Sequence, residues 1–278
     1  GVDASLVGSD PATRGQRLAA MVRRGSLPTW LVDEAVAALL RLKWRLGLWS
    51  DPYPPPDAPD EPASARELAD RAAVEALVLL ADPHDVLPLG APSSVQVWAP
   101  DHAVQGTALA AALAAALPAA AVTVHASSGP PGGDGPVLAL LGDDPRPQWL
   151  EALAGAAGTG RPCVALLGTA GAAGGLLASP AALLLCWDAV TEQPAAVAAV
   201  LAGADEPGGR LPVASGPLPL GHGSGYTTFD YADLELPERV PGDGRPLVVG
   251  CRVTNSGGRA GKEVVQVHLR DRQATVAT

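Results

Sequence analysis

The sequence predicts an α/β protein in which a mostly parallel sheet is sandwiched by helices, with two helices ahead of it and the start of a β-sandwich behind. Three observations carry that reading. From residue 63 to 221, short apolar runs alternate with Ala-rich segments of helical length, which is how βαβ units appear in sequence. Upstream, apolar residues recur at helical spacing in two stretches that each end on glycine. Downstream of Tyr226 the helical pattern stops, and apolar and polar residues alternate at period two.

In chain order, Asp10 is an N-cap and Pro11 a first helical residue; Leu18, Met21 and Val22, with Gly25 behind them, describe a short helix. A second helix is expected over about 29–46. Its stripe of Leu31, Val32, Ala35, Val36, Leu39, Leu42 and Leu46 has helical spacing, and Gly47 supplies the C′ glycine. Residues 51–62 hold Pro52, Pro54, Pro55, Pro56, Pro59 and Pro62, which suit neither a helix nor a central strand and predict an extended linker. Strands follow at 95–99, 121–125, 137–141, 163–167 and 183–187, interleaved with helices near 104–117, 147–157 and 192–202. Gly221, Gly223 and Gly225 form a tight corner, from which Tyr226-Thr227-Thr228-Phe229 opens a strand. Residues 247–254 and 263–269 are expected to pair as a hairpin around an Asn255-Ser256-Gly257-Gly258 turn.

Composition narrows the function. A chain of 278 residues, 47% hydrophobic, has room for two compact domains with real cores. The net charge of −10 argues against a nucleic-acid surface, which concentrates Lys and Arg, and neutral substrates such as sugars fit better. Cys163, Cys186 and Cys251 lie apart, without zinc-ligand spacing, and an odd, sparse set gives no disulfide framework. Cys163 and Cys186, in or beside apolar runs, are expected to be core thiols. No apolar run reaches the length of a membrane span. The chain opens on Gly1-Val2-Asp3 without Met and closes at Thr278 inside a β pattern, so both ends are expected to be cut. The compartment stays open, because an acidic, cysteine-poor chain suits a secreted or periplasmic bacterial enzyme and a cytoplasmic one equally.

Several segments point the same way, and they occur in a fixed order. Arg41-Leu42-Lys43-Trp44-Arg45-Leu46-Gly47-Leu48-Trp49 is followed by the segment 68–80 with Val86-Leu87-Pro88-Leu89. Then come Gly209-Arg210-Leu211-Pro212-Val213, the corner 219–231, and the segment 253–271. Together they resemble the C-terminal half of glycoside hydrolase family 3, the family of β-glucosidases, β-xylosidases and β-N-acetylglucosaminidases. The resemblance implies that 1–50 are the last helices of a truncated (β/α)8 barrel and that 51–62 are a linker. It makes 63–221 the family's α/β sandwich domain and 222–278 part of a fibronectin-III-like sandwich. It implies exo-acting hydrolysis of a β-linked glycoside with no cofactor and no metal. The carbohydrate is the implied partner, with a homodimer as a further reading; neither nucleic acid nor membrane is implied.

Hydrolysis with retention needs two carboxyl groups about 5 Å apart, one as nucleophile and one as acid then base. The resemblance places the nucleophilic Asp upstream of Gly1, and the loop on which many members carry the acid/base Glu is absent or replaced. At the matching place stands Leu141-Gly142-Asp143-Asp144-Pro145-Arg146-Pro147-Gln148-Trp149. No catalytic residue is therefore expected in this chain. The carboxyl end of a parallel strand is where ligands bind, so Asp143 and Asp144 are the best local candidates for contacting sugar, against a plain reading as a helix cap. Asp101, beside His102, follows another strand end and could face the same crevice or the solvent. Glu151 is expected on a solvated helix face, and His222 to brace the corner. The Gly-rich stretch 168–175 lacks the Lys-Ser/Thr ending of a phosphate loop. Ser215, Ser224 and Cys163 lack a nucleophile elbow. Two functions survive: a fragment of an exo-acting β-glycosidase, or a non-catalytic scaffold or sugar-contacting module. Under both, the isolated chain hydrolyses no glycoside.

Overall fold

The computed structural model describes residues 11–53, 63–127, 129–130, 132–237 and 246–268. Asp10, the segment 1–3 and most of the Pro-rich stretch lie outside them. The chain divides into two units, 1–62 and 63–278.

The first unit holds α1 (Pro11–Arg23) and α2 (Thr29–Arg45). Both end as their glycines dictate. Gly47, at φ 72°, donates to the Trp44 carbonyl and Leu48 donates to that of Lys43, while Gly25 and Ser26 repeat the pattern on Val22 and Met21. The apolar stripe of α2 is helical as expected, yet α2 buries none of its side chains.

The second unit opens with α3 (Ala63–Ala76) and β1 (Val78–Ala81), followed by β2 (Ser94–Trp98), α4 (Ala103–Ala116), β3 (Ala121–His125) and β4 (Val137–Gly142). Then come α5 (Pro147–Gly158), β5 (Cys163–Leu167), a 3-10 turn (Ala170–Gly175), β6 (Ala182–Leu185), α6 (Ala189–Glu192) and α7 (Pro194–Ala202). The sheet runs β1-β6-β5-β4-β2-β3. It is parallel except at β1, which pairs antiparallel with β6. This is an α/β fold with a mostly parallel sheet.

Burial explains the apolar runs. Every residue of β5 and β6 is buried, because the sheet is covered on both faces. Val97, Leu138, Val164, Leu166 and Leu184 share one cluster with Leu109 and Leu113 of α4 and Val197 and Leu201 of α7. Val137, Ala139, Ala165, Leu167 and Leu183 share the other with Trp149 and Leu153 of α5. Alternate residues of one strand thus serve opposite layers.

Two sequence expectations are corrected. The strand expected over 183–187 stops at Leu185, and Trp187 turns out of the sheet at φ 51°. The hairpin is re-paired: β8 (Gly250–Asn255) is antiparallel to β7 (Phe229–Glu235), and 261–268 forms no strand. The turn itself exists, with Asn255 Oδ1 accepting from Gly257 N at 3.0 Å. Beyond it the chain leaves the ladder, because its polar side chains find partners elsewhere. Lys262 Nζ pairs with Glu75, and Glu263 accepts from Arg210 at 3.1 Å and from the Tyr231 hydroxyl at 2.9 Å. Leu269 lies outside the described residues.

Candidate functional site

The strand order fixes where a crevice can open. The chain passes from β2 outward to β3, then crosses back to set β4 on the other side of β2. At such a reversal the loops leaving the two carboxyl ends part, and ligands bind between them. The loop after β2 delivers Asp101 and His102, the end of β4 and the loop behind it Gly142 and Asp143, the loop after β5 Gly168, and that after β6 Trp187 and Asp188.

A cavity of about 150 Å³ occupies this position, floored by Leu140, Leu166 and Leu167. His102, Asp143, Trp187, Asp188 and Thr191 stand around it. Glycines allow the close approach. A Cβ on Gly142, at φ 66°, would sit 2.7 Å from His102 Nε2, so only glycine lets that ring cover the end of β4. A Cβ on Gly168 would overlap the Asp143 carboxylate. Gly168 N donates to the Gly142 carbonyl at 2.9 Å, and Thr169 Oγ1 to that of Asp143 at 3.1 Å, which fixes the Asp143 backbone.

The three candidate carboxylates part company here. Asp143 lines the cavity; Asp144, its exposed neighbour, does not. Neither caps a helix, since α5 begins at Pro147 behind Arg146 with no side-chain cap. Asp101 lies outside the cavity, ion-paired at 2.7 Å with Arg146, whose guanidinium rests 4.8 Å from the centre of the Trp149 ring. With both partners about half exposed, that pair contributes between 0 and about 1 kcal/mol.

Trp187 and Asp188 are the wall that sequence reasoning missed. The run Leu183-Leu184-Leu185-Cys186-Trp187 reads as one strand, and only the Asp directly after it signals a strand end at a site. The Trp187 indole donates from Nε1 to the Ala76 carbonyl at 3.0 Å. Beneath it Cys186 is fully buried, and burial pushes its thiol well up; Cys163 is pushed up to about 11 by the same cause. Thiols so held are core residues, not nucleophiles. Glu151 is exposed on α5. His222 Nε2 lies 2.8 Å from the Leu80 carbonyl, which can only accept, so the ring donates and braces the corner.

The crevice thus offers two carboxylates, an imidazole, a hydroxyl and an aromatic ring over an apolar floor, with no Lys or Arg along it among the described residues. That set suits a neutral, hydroxyl-rich ligand. No family model matches the chain. It is 38% identical over 59 residues to the thermostable beta-glucosidase B of Acetivibrio thermocellus, covering 21% of this chain and 8% of that one. It is 38% identical over 93 residues to the lysosomal beta glucosidase of Dictyostelium discoideum, covering 32% and 11%. The beta-glucosidase of Listeria innocua, solved in complex with glucose, superposes with a TM-score of 0.65 over 94% of this chain at 22% identity. The chain spans 47% of that protein, about half its length. The chain is therefore similar to β-glucosidases in sequence and shares the α/β fold found in them.

Proposed function

We propose that this chain is the C-terminal part of an exo-acting, retaining β-glycosidase of glycoside hydrolase family 3. The observation that carries the reading is the 38% identity to β-glucosidases from a bacterium and from Dictyostelium, over stretches of 59 and 93 residues. Here residues 1–50 are the last helices of a barrel that precedes them and supplies the nucleophilic carboxylate. The α2 stripe supports this, since Leu31, Leu42 and Leu46 have core spacing yet stand exposed, as on a helix made to lie against further structure. Residues 63–221 are one wall of the pocket, with Asp143 as the candidate sugar contact, and 222–278 begin a fibronectin-III-like sandwich. Asp101 is spent on Arg146, which narrows the candidates.

A retaining mechanism cannot proceed without its nucleophile. The 278-residue chain is therefore expected to release no nitrophenol from 4-nitrophenyl β-D-glucoside above a no-protein control. The same chain extended upstream through a barrel is expected to do so. Turnover by the chain alone, abolished by Asp143→Asn, would sink the proposal.

A second reading keeps the same relatives but makes the α/β unit a non-catalytic wall or scaffold. It is favoured by the brevity of the connection between Gly142 and Pro147, which leaves no loop to carry an acid/base Glu. Full activity of the extended protein with Asp143→Asn would select it.

A further inference from the structure

We propose that Trp187 is the stacking platform for a neutral pyranose ring in the crevice, with Asp143 and Asp188 taking its hydroxyls; this rests on the carbohydrate reading above. The backbone gives the first argument. Among the described residues, three that are not glycine have positive φ: Asp85, Asp233 and Trp187. Asp visits that region readily because its short side chain bonds locally, whereas Trp has no such preference. Something other than turn chemistry keeps Trp at the end of β6.

Exposure gives the second. Of the tryptophans in the second unit, Trp98 and Trp149 are 0% and 3% exposed, while Trp187 is 39% exposed and lines the cavity. Its one polar atom is already bonded to the Ala76 carbonyl, so the indole is anchored and offers carbon surface alone. A pyranose with equatorial hydroxyls has the complementary form: an apolar C–H face to lie on an aromatic ring, and a rim of hydroxyls for carboxylates to accept from. Asp188 adjoins the ring and Asp143 lines the same cavity. With no Lys or Arg along it among the described residues, the crevice gives no counter-charge there to a phosphorylated or acidic sugar.

The competing account is that Trp187 stands there only to tie β6 to the end of α3 through Ala76. Two variants of the 278-residue chain separate the accounts, read by NMR titration with methyl β-D-glucoside and by thermal melting. Trp187→Phe keeps an aromatic face and loses the N–H; it is expected to hold its affinity within about threefold while melting lower. Trp187→Asn suits the left-handed backbone and removes the ring; it is expected to raise Kd by at least about tenfold. In the wild-type chain, the indole N–H resonance that Trp187→Phe deletes must move as the glucoside is added.

An unmoved indole resonance, or an unchanged Kd in Trp187→Asn, overturns the platform while leaving the carbohydrate reading standing. The resonance test holds even if Trp187→Asn does not fold. Glucose 6-phosphate binding as tightly as the glucoside overturns the neutral-ligand assignment. If no resonance of the wild-type chain responds to the glucoside, the carbohydrate reading of the crevice falls and the platform with it.

Discussion

Gly223 sits where the corner passes beside β1, at φ 147°, and a Cβ there would meet the Gly209 carbonyl and Val78 Cγ1, each at 2.8 Å. Gly223→Val therefore adds a forbidden backbone angle to an overlap with main chain. We expect a loss of about 2–4 kcal/mol, or roughly 5–15 °C in melting temperature for a domain this size, measured by circular dichroism. An unchanged melting curve would refute the corner geometry. The thiols offer a second test. Cys163 and Cys186 are buried and Cys251 is exposed, so iodoacetamide should modify one cysteine of the native chain and all three after unfolding. The folded chain holds the Cys163 proton to about pH 11, whereas the free thiol releases it near 9.0. Between those values the native state binds more protons than the unfolded one, so stability should fall as pH rises through that window. A urea midpoint independent of pH there would count against it. Gly223 was legible in sequence because glycine announces its backbone. Trp187 was not, because its left-handed backbone ends what reads in sequence as an unbroken apolar strand.

Elements were legible in proportion to how far local chemistry determines them. The bounds of β5 follow from an apolar run closed by Pro162 and Gly168, and α2 from its stripe and the glycine behind it. The pairing of β8 was not legible, because alternation makes a strand without naming its partner. The choice falls to the segment after the turn, which is held by side chains along its length. Arg259 donates to the Gly203 carbonyl at 2.8 Å and lies 5.6 Å from the centre of the Tyr226 ring, and Gln266 donates to Gly221 at 2.9 Å. Between them, Glu263 meets Arg210, whose side chain is only 9% exposed. Arg210→Ala leaves that carboxylate facing a low-dielectric surface with the Tyr231 hydroxyl alone. We expect a cost of about 1–3 kcal/mol and faster tryptic cleavage after Arg259 and Lys262, followed by mass spectrometry. Unaltered cleavage at those two sites would show that the segment is held without the ion pair.

At the scale of the molecule, the strand order places the crevice and the core carries the stability. Every buried apolar side chain among the described residues falls between Ala73 and Leu218. The first unit contributes none of them. Its helices are 13 and 17 residues long, lengths at which isolated helices are marginal in water, and their glycine caps end them without providing a core. Its surface is instead costly to leave open: Trp30, Trp44 and Trp49 are 62%, 73% and 61% exposed. Excising residues 1–62 should therefore leave the cooperative melt of 63–278 within about 3 °C of the intact chain. It should also reduce association, since exposed apolar side chains of this size favour self-contact. Calorimetry and sedimentation of the two chains check both points. A melt lowered by more than about 10 °C would mean that the stability of 63–278 depends on residues 1–62. Equal association in both chains would place the adhesive surface on the second unit, where Val104, Val248 and Val267 are 80%, 78% and 69% exposed.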